Sequence, residues 1–139
     1  MTRVYLETSA LLRALLEGDA ALRSRLAGAS LVTSALTFVE ADRAIHRARR
    51  DGRLDAAQSR HARRALAALE RSCDVLALGE EVLRRAREPL PVEPVRTLDA
   101  LHLASILLLD AELGGLEVAT CDERLRRNVE ALGLGVIGG

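Results

Sequence analysis

Four carboxylates stand out by their placement in an otherwise aliphatic chain: Glu7, Glu40, Asp99 and Asp122. Glu7 follows the apolar run Val4-Tyr5-Leu6, and Asp122 follows Val118 and Ala119 through Thr120 and Cys121. Asp99 lies among Leu98, Ala100, Leu101, Leu103, Ala104 and Ile106, and an acid beside so apolar a surface needs a cation or strong hydrogen bonds. Four carboxylates gathered in one cleft would repel each other and hold protons near neutrality unless a metal intervened. Magnesium suits such a set, because it takes oxygen ligands at about 2.1 Å and keeps several waters, which leaves room for a substrate phosphate. A metal so held lowers the pKa of a bound water and stabilises charge on a phosphate under attack. Each acid taken singly also has an ordinary explanation as a cap or a surface acid, since the positive end of a helix favours negative charge.

Nearby residues give weaker signals. Arg43, three residues after Glu40, shares its helical face and reads either as a phosphate contact or as an ion-pair partner of one of the acids. His102, three residues after Asp99, is expected to be a packed or hydrogen-bonded core residue rather than a metal ligand, because no further histidine has useful spacing. His46 and His61 read as surface residues. There is no glycine-rich phosphate loop, no GxSxG elbow and no HExxH, so nucleotide hydrolases, esterases and zinc peptidases lack their marks.

The elements that must position these acids follow from apolar runs and punctuation. Val4 to Leu6 reads as a buried strand, with Thr8 and Ser9 offering cap oxygens to a helix over Ala10 to Leu16. Gly18 and Asp19 break that helix, Ala20 to Leu26 forms another, and Leu31 to Thr33 reads as a second strand. Ser34 caps a helix over Ala35 to Arg50, ended by Asp51-Gly52, and Asp55 caps the next, which runs towards Arg71. Val75 to Leu78 is a third strand candidate, and Gly79 opens a helix that stops before Pro89. Pro89, Pro91 and Pro94 mark an extended loop. Thr97 starts and caps a strongly apolar helix to Leu109, ended by Gly114-Gly115. Leu116 to Ala119 forms a strand, Asp122 caps a helix to Leu132, and Leu134 to Ile137 closes the chain as a strand. Short apolar strands alternating with helices predict an α/β fold, a mostly parallel sheet flanked by helices in three layers. Ligands in such folds gather outside the carboxyl ends of the strands, where Glu7 and Asp122 sit.

Composition narrows the function further. With 139 residues and no linker or repeat, one domain over 1–139 is expected. Tyr5 and Phe38 are the only aromatics, so base stacking on aromatic platforms is not anticipated. All 20 basic residues are arginine, balanced by 20 acids to a net charge of zero. From Arg43 to Arg64, eight arginines face only Asp51 and Asp55, an excess of six positive charges that reads either as a solvated helix face or as a polyanion- or partner-facing patch. Cys73 and Cys121 have no metal-ligand spacing, and no signal segment or bilayer-length apolar run is present, so a reduced, cytoplasmic protein is expected.

The segments carrying the acids resemble a known family. Val4-Tyr5-Leu6-Glu7-Thr8-Ser9-Ala10-Leu11, Ser34-Ala35-Leu36-Thr37-Phe38-Val39-Glu40, Thr97-Leu98-Asp99-Ala100-Leu101-His102-Leu103-Ala104 and Thr120-Cys121-Asp122-Glu123-Arg124-Leu125 occur in that order over nearly the whole chain. In this order and spacing they resemble the PIN-domain ribonucleases, and within them the toxins of toxin–antitoxin pairs of the virulence-associated protein C type. The resemblance implies a PIN-like three-layer sandwich, magnesium- or manganese-dependent hydrolysis of RNA, a cognate antitoxin whose tail blocks the site, and a homodimer. DNA would be engaged only indirectly, through the antitoxin. It makes Glu7, Glu40, Asp99 and Asp122 the catalytic and metal-holding set, with Ser9 and Thr120 as polar neighbours through their hydroxyls; for Thr120 a capping role is the preferred reading. The family ordinarily has aspartate at the first acidic position, whereas Glu7 carries one more methylene, about 1.5 Å of extra reach. That departure favours a second reading, a PIN-like scaffold with a weakened metal site that binds protein or RNA.

Overall fold

The computed structural model describes residues 2–138; Met1 and Gly139, the ends of the expected 1–139 domain, lie outside the described residues. Strand β1 (Arg3–Leu6) leads to helices α1 (Thr8–Leu16) and α2 (Ala20–Ala27), then β2 (Ser30–Ser34), α3 (Ala35–Arg50) and α4 (Ala56–Ser72). After β3 (Asp74–Leu76) come α5 (Glu80–Arg85), α6 (Thr97–Leu113), β4 (Glu117–Ala119), α7 (Glu123–Ala131) and β5 (Gly135–Ile137). The sheet order is β3-β2-β1-β4-β5, and every pairing is parallel. The mostly parallel α/β sheet expected from the sequence is therefore parallel throughout.

The alternation of β1 divides the core in two. Val4 and Leu6 point into a cluster with Leu11 of α1, Leu22 of α2, Phe38 and Ile45 of α3, and Leu66 of α4. Tyr5 points the other way, into a cluster with Leu103 and Ile106 of α6 and Leu125 and Val129 of α7. Successive strand residues face opposite sides, so a three-residue apolar run feeds both helical layers. Leu12, Leu15 and Leu16 pack partly against the first cluster.

Most punctuation acts as expected. Ser34 Oγ accepts from Leu36 N at 3.1 Å, Asp55 and Gln58 exchange hydrogen bonds in a capping box, and Asp122 caps α7. Two caps differ. The cap of α1 is Glu7 itself, because the helix already begins at Thr8. The cap position of α6 is Arg96, with no side-chain hydrogen bond, and Thr97 is the first helical residue. Strand β3 spans Asp74–Leu76 rather than Val75 to Leu78, and α6 runs to Leu113, where Gly114 at φ 71° ends it. Beyond Leu109 the helix holds by burying Leu113 against the second cluster.

The order of strands places the site. From β1 the chain steps outward through β2 to β3, then crosses back so that β4 lies on the other side of β1. The crevice between β1 and β4 is thus the switch point where ligands gather in parallel α/β sheets. Leu6 pairs with Ala119 at the carboxyl ends of these strands, and Glu7 N donates to Ala119 O at 3.0 Å.

Candidate active site

Glu7 leaves β1 and caps α1, with both carboxylate oxygens engaged. Its Oε2 accepts from Ser9 N at 2.9 Å, and its Oε1 accepts from Thr120 Oγ1 at 2.6 Å and from Ser9 Oγ. The two hydroxyls also accept backbone amides, Cys121 N to Ser9 Oγ at 2.8 Å and Asp122 N to Thr120 Oγ1 at 3.1 Å. The capping role preferred for Thr120 is thus only half of its work: its hydroxyl also donates to Glu7. Glu7, only 7% exposed, ties the start of α1 to the β4–α7 connection.

Glu40 lies in the second turn of α3, where its Oε1 accepts from Thr8 Oγ1 at 2.7 Å and from His102 Nε2 at 2.6 Å. His102 Nδ1 meets the Tyr5 hydroxyl at 2.7 Å. Burial first, then the charge of Glu7, raises Tyr5 far above its ordinary value, so its hydroxyl stays protonated. Nε2 faces the Glu40 carboxylate, which only accepts, so Nε2 donates there, while the Tyr5 hydroxyl pairs with Nδ1. Burial alone would raise the Glu40 carboxyl, but the hydrogen bonds from His102 and Thr8 outweigh it and hold it below the usual range. His102 is the buried, hydrogen-bonded residue expected, and it sits one contact from a site acid.

Asp99, half-buried in the first turn of α6, has its carboxyl raised by burial, then by the charges of Asp122, Glu7 and Glu40, against a lowering by His102. Asp122 caps α7, its Oδ1 accepting from Arg124 N at 2.9 Å and Leu125 N at 3.1 Å. A cavity of about 760 Å³ brings Glu40, Asp99 and Asp122 together with Arg96, Glu123 and Arg124. Glu7 is not among its lining residues, yet its charge reaches Asp99.

Arg43 is exposed on α3, outside the lining of the cavity, and among the described residues it makes no ion pair within 4.0 Å with an acid of the set. Arg96 and Arg124 were not singled out from the sequence, and Thr8 was expected only to offer a cap oxygen. Thr8 and Arg124 carried a signal, since each is adjacent to or two residues from a candidate acid; Arg96 carried none.

Among the described residues, no group of three or more His, Cys, Asp or Glu side chains is arranged to grip a metal ion directly. The donor chemistry nevertheless fits a hydrated hard cation. The acids lining the cavity offer oxygen only, and the carboxyl of Asp99 is raised by burial first and then by the charge of Asp122. Magnesium retains waters that can bridge carboxylates too far apart to ligate together.

Residues 4–130 match the model of the PIN domain. The chain belongs to the PIN domain family. It is similar to ribonuclease VapC46 of Mycobacterium tuberculosis, at 37% identity over 99% of this chain and 98% of that protein. Ribonuclease VapC35 of the same organism is 34% identical over 96% and 95% of the two chains. The fold is shared with a toxin–antitoxin complex from Klebsiella pneumoniae, at TM-score 0.63 and 18% identity over 97% of this chain and 96% of that one, and with VapBC2 of Rickettsia felis, solved bound to a DNA fragment from their promoter. The latter match has TM-score 0.68 and covers 98% of each chain at 9% identity, so it speaks for the PIN fold alone. The same fold was the expectation from the four acidic segments. Among the described residues no helix of this PIN domain is long and apolar enough to cross a membrane.

Proposed function

We propose that this PIN domain is a magnesium- or manganese-dependent endoribonuclease and the toxin of a toxin–antitoxin pair, acting in the cytoplasm as a homodimer. The observation that carries the reading is the meeting of Glu40, Asp99 and Asp122 in one cavity at the sheet's switch point, with Asp99 raised by burial and then by its acidic neighbours. Full-length similarity to two proteins named ribonucleases supports RNA as the substrate. The occurrence of the same fold in toxin–antitoxin complexes supports an antitoxin partner.

In this reading Asp99 would hold the metal, and Glu40 would join it directly or through water. The bound metal supplies an activated water and charge stabilisation at the phosphate. Thr8 and His102 fix the Glu40 carboxylate, and Tyr5 holds the His102 ring in place, so Glu40 stays ionised and oriented. Glu7 retains one acceptor position, on Oε2, because its Oε1 already takes two hydroxyl donors. It therefore contributes its charge and a water-mediated contact. Asp122 holds the metal or the attacking water.

The test is cleavage of a mixed RNA pool by the purified protein with magnesium, with manganese and with chelator, beside an Asp99→Ala control. Metal-dependent cutting lost in the folded control is the expected result; cutting that survives chelation or the substitution would sink the proposal. The donors crowded onto Glu7 favour a second reading, a PIN scaffold that binds without cutting. Calorimetric titration separates the two, since such a scaffold would take up neither metal.

A further inference from the structure

A second cleft adjoins the acidic cavity and has a different character. It measures about 510 Å³ and lies between the 90–96 loop and α7. Arg96, Asp99 and Arg124 line both spaces, so the two meet across these residues. One space is dominated by carboxylates, whereas the other adds Arg127 to the two shared arginines.

The loop wall of this cleft is built. Asn128 of α7 spans it, accepting from Val92 N at 2.8 Å and donating to Val92 O at 3.0 Å. Glu93 is consumed internally, accepting from Leu90 N and Val95 N at 2.8 Å each. Its charge is thus directed into the loop's own amides. Val92, held by both its backbone groups, is left 38% exposed. Among the described residues, neither Arg96 nor Arg124 makes an ion pair within 4.0 Å, although acids line the neighbouring cavity. Two uncompensated guanidinium groups beside a carboxylate cluster form a two-signed surface. A phosphodiester strand satisfies both signs at once, one phosphate at the acids through a cation and its neighbours on the arginines. An acidic peptide would meet the arginines but gain nothing at the acids.

We infer that the cleft between the 90–96 loop and α7 is a binding subsite for single-stranded RNA. It takes the nucleotide next to the phosphate at the acids, with Arg96 and Arg124 on flanking phosphates and Val92 against the ribose or base. The inference rests on the nuclease reading only for which phosphate is cut. Arg96 enters from the cap position of α6 and Arg124 from the first turn of α7, so rigid helices set their spacing. The braced loop gives the nucleotide a fixed wall, which makes this cleft a determinant of which sequences are accepted.

The experiment uses the full chain in an Asp99→Asn background, with binding of a fluorescent single-stranded RNA pool read by anisotropy between about 50 and 200 mM salt. Arg96→Gln and Arg124→Gln should each weaken binding and flatten the dependence of log affinity on log salt by about 0.7, the single-strand value per phosphate. Arg84→Gln, on α5 and outside both clefts, should leave both unchanged. Val92→Glu, a surface change, should weaken binding and shift the preferred sequences in a selection from random RNA. Binding untouched by the arginine changes would overturn the inference while leaving the nuclease reading intact. Tighter binding of a glutamate-rich peptide than of RNA would overturn it in favour of a protein ligand. RNA held at these arginines by a parent protein that never cuts would uphold the cleft and remove the nuclease reading.

Discussion

Asp99 and Glu40 are tuned in opposite directions by their surroundings, and each direction has a measurable consequence. A carboxyl raised in the folded state binds its proton more tightly there, so stability falls as pH rises through its ordinary range and the loss persists at neutrality. Asp99→Asn removes that loss, and the metal-free variant should melt higher than the parent at pH 7 and lower its advantage as pH falls, by calorimetry. Glu40 runs the other way. Its lowered carboxyl contributes stability at neutral pH that is lost as pH falls through the folded-state value. His102→Ala should shrink that acid-side loss in a pH series of melting curves. Glu7 is the third case, with three donors converging on a side chain 7% exposed. Glu7→Ala strands the Ser9 and Thr120 hydroxyls and should cost on the order of 2–3 kcal/mol in urea unfolding, whether or not metal is present. Aspartate, one methylene shorter, should recover part of this.

At the scale of elements, the site depends on helix starts. Asp122 caps α7, Glu7 caps α1, and Asp99 and Arg96 flank the first turn of α6, so three helix N-termini supply the polar groups. A helix start concentrates unpaired amides, which is why two of the site acids, Glu7 and Asp122, are also caps. Asn128 of α7, which is buried, hydrogen-bonds both backbone groups of Val92 in the 90–96 loop, whose Leu90 and Val95 pack in the cluster with Leu125 and Val129. Asn128→Ala should cost about 1–3 kcal/mol by leaving the Val92 amide and carbonyl unsatisfied. Hydrogen exchange should then rise in the loop before the sheet opens, and protection unchanged at Val92 would argue against the brace.

At the scale of the whole molecule, a parallel sheet with its switch point between β1 and β4 gathers Glu40, Asp99 and Asp122 at one cavity, where Asp99 is raised by burial and by its acidic neighbours. A cation that binds the folded chain and not the unfolded one adds stability by mass action, about 2.7 kcal/mol at a hundredfold excess over its dissociation constant. Magnesium or manganese should therefore raise the melting temperature of the parent, leave Asp99→Asn nearly unmoved, and lose its effect on chelation. No shift with either ion in the parent would favour the scaffold that binds without cutting.

The sequence by itself determined much of this protein. Apolar runs bounded by glycine, proline and capping residues marked the strands and helices, because burial and capping are local demands written in neighbouring residues. The same locality placed Glu7 and Asp122 at strand ends and put Asp99 in an apolar helix. What it could not show was partnership. Glu40 and His102 are 62 residues apart, and Glu7 and Thr120 are 113 apart, yet each pair shares a hydrogen bond. Only the strand order, which sets β4 beside β1, and the packing of α6 against the sheet bring them together. Arg43 illustrates the converse: its spacing from Glu40 was right for one helical face, but the cavity lies elsewhere. Arg96 and Arg124 belong to that cavity because two helices begin at its edge, and the start of a helix in space is decided by the tertiary fold.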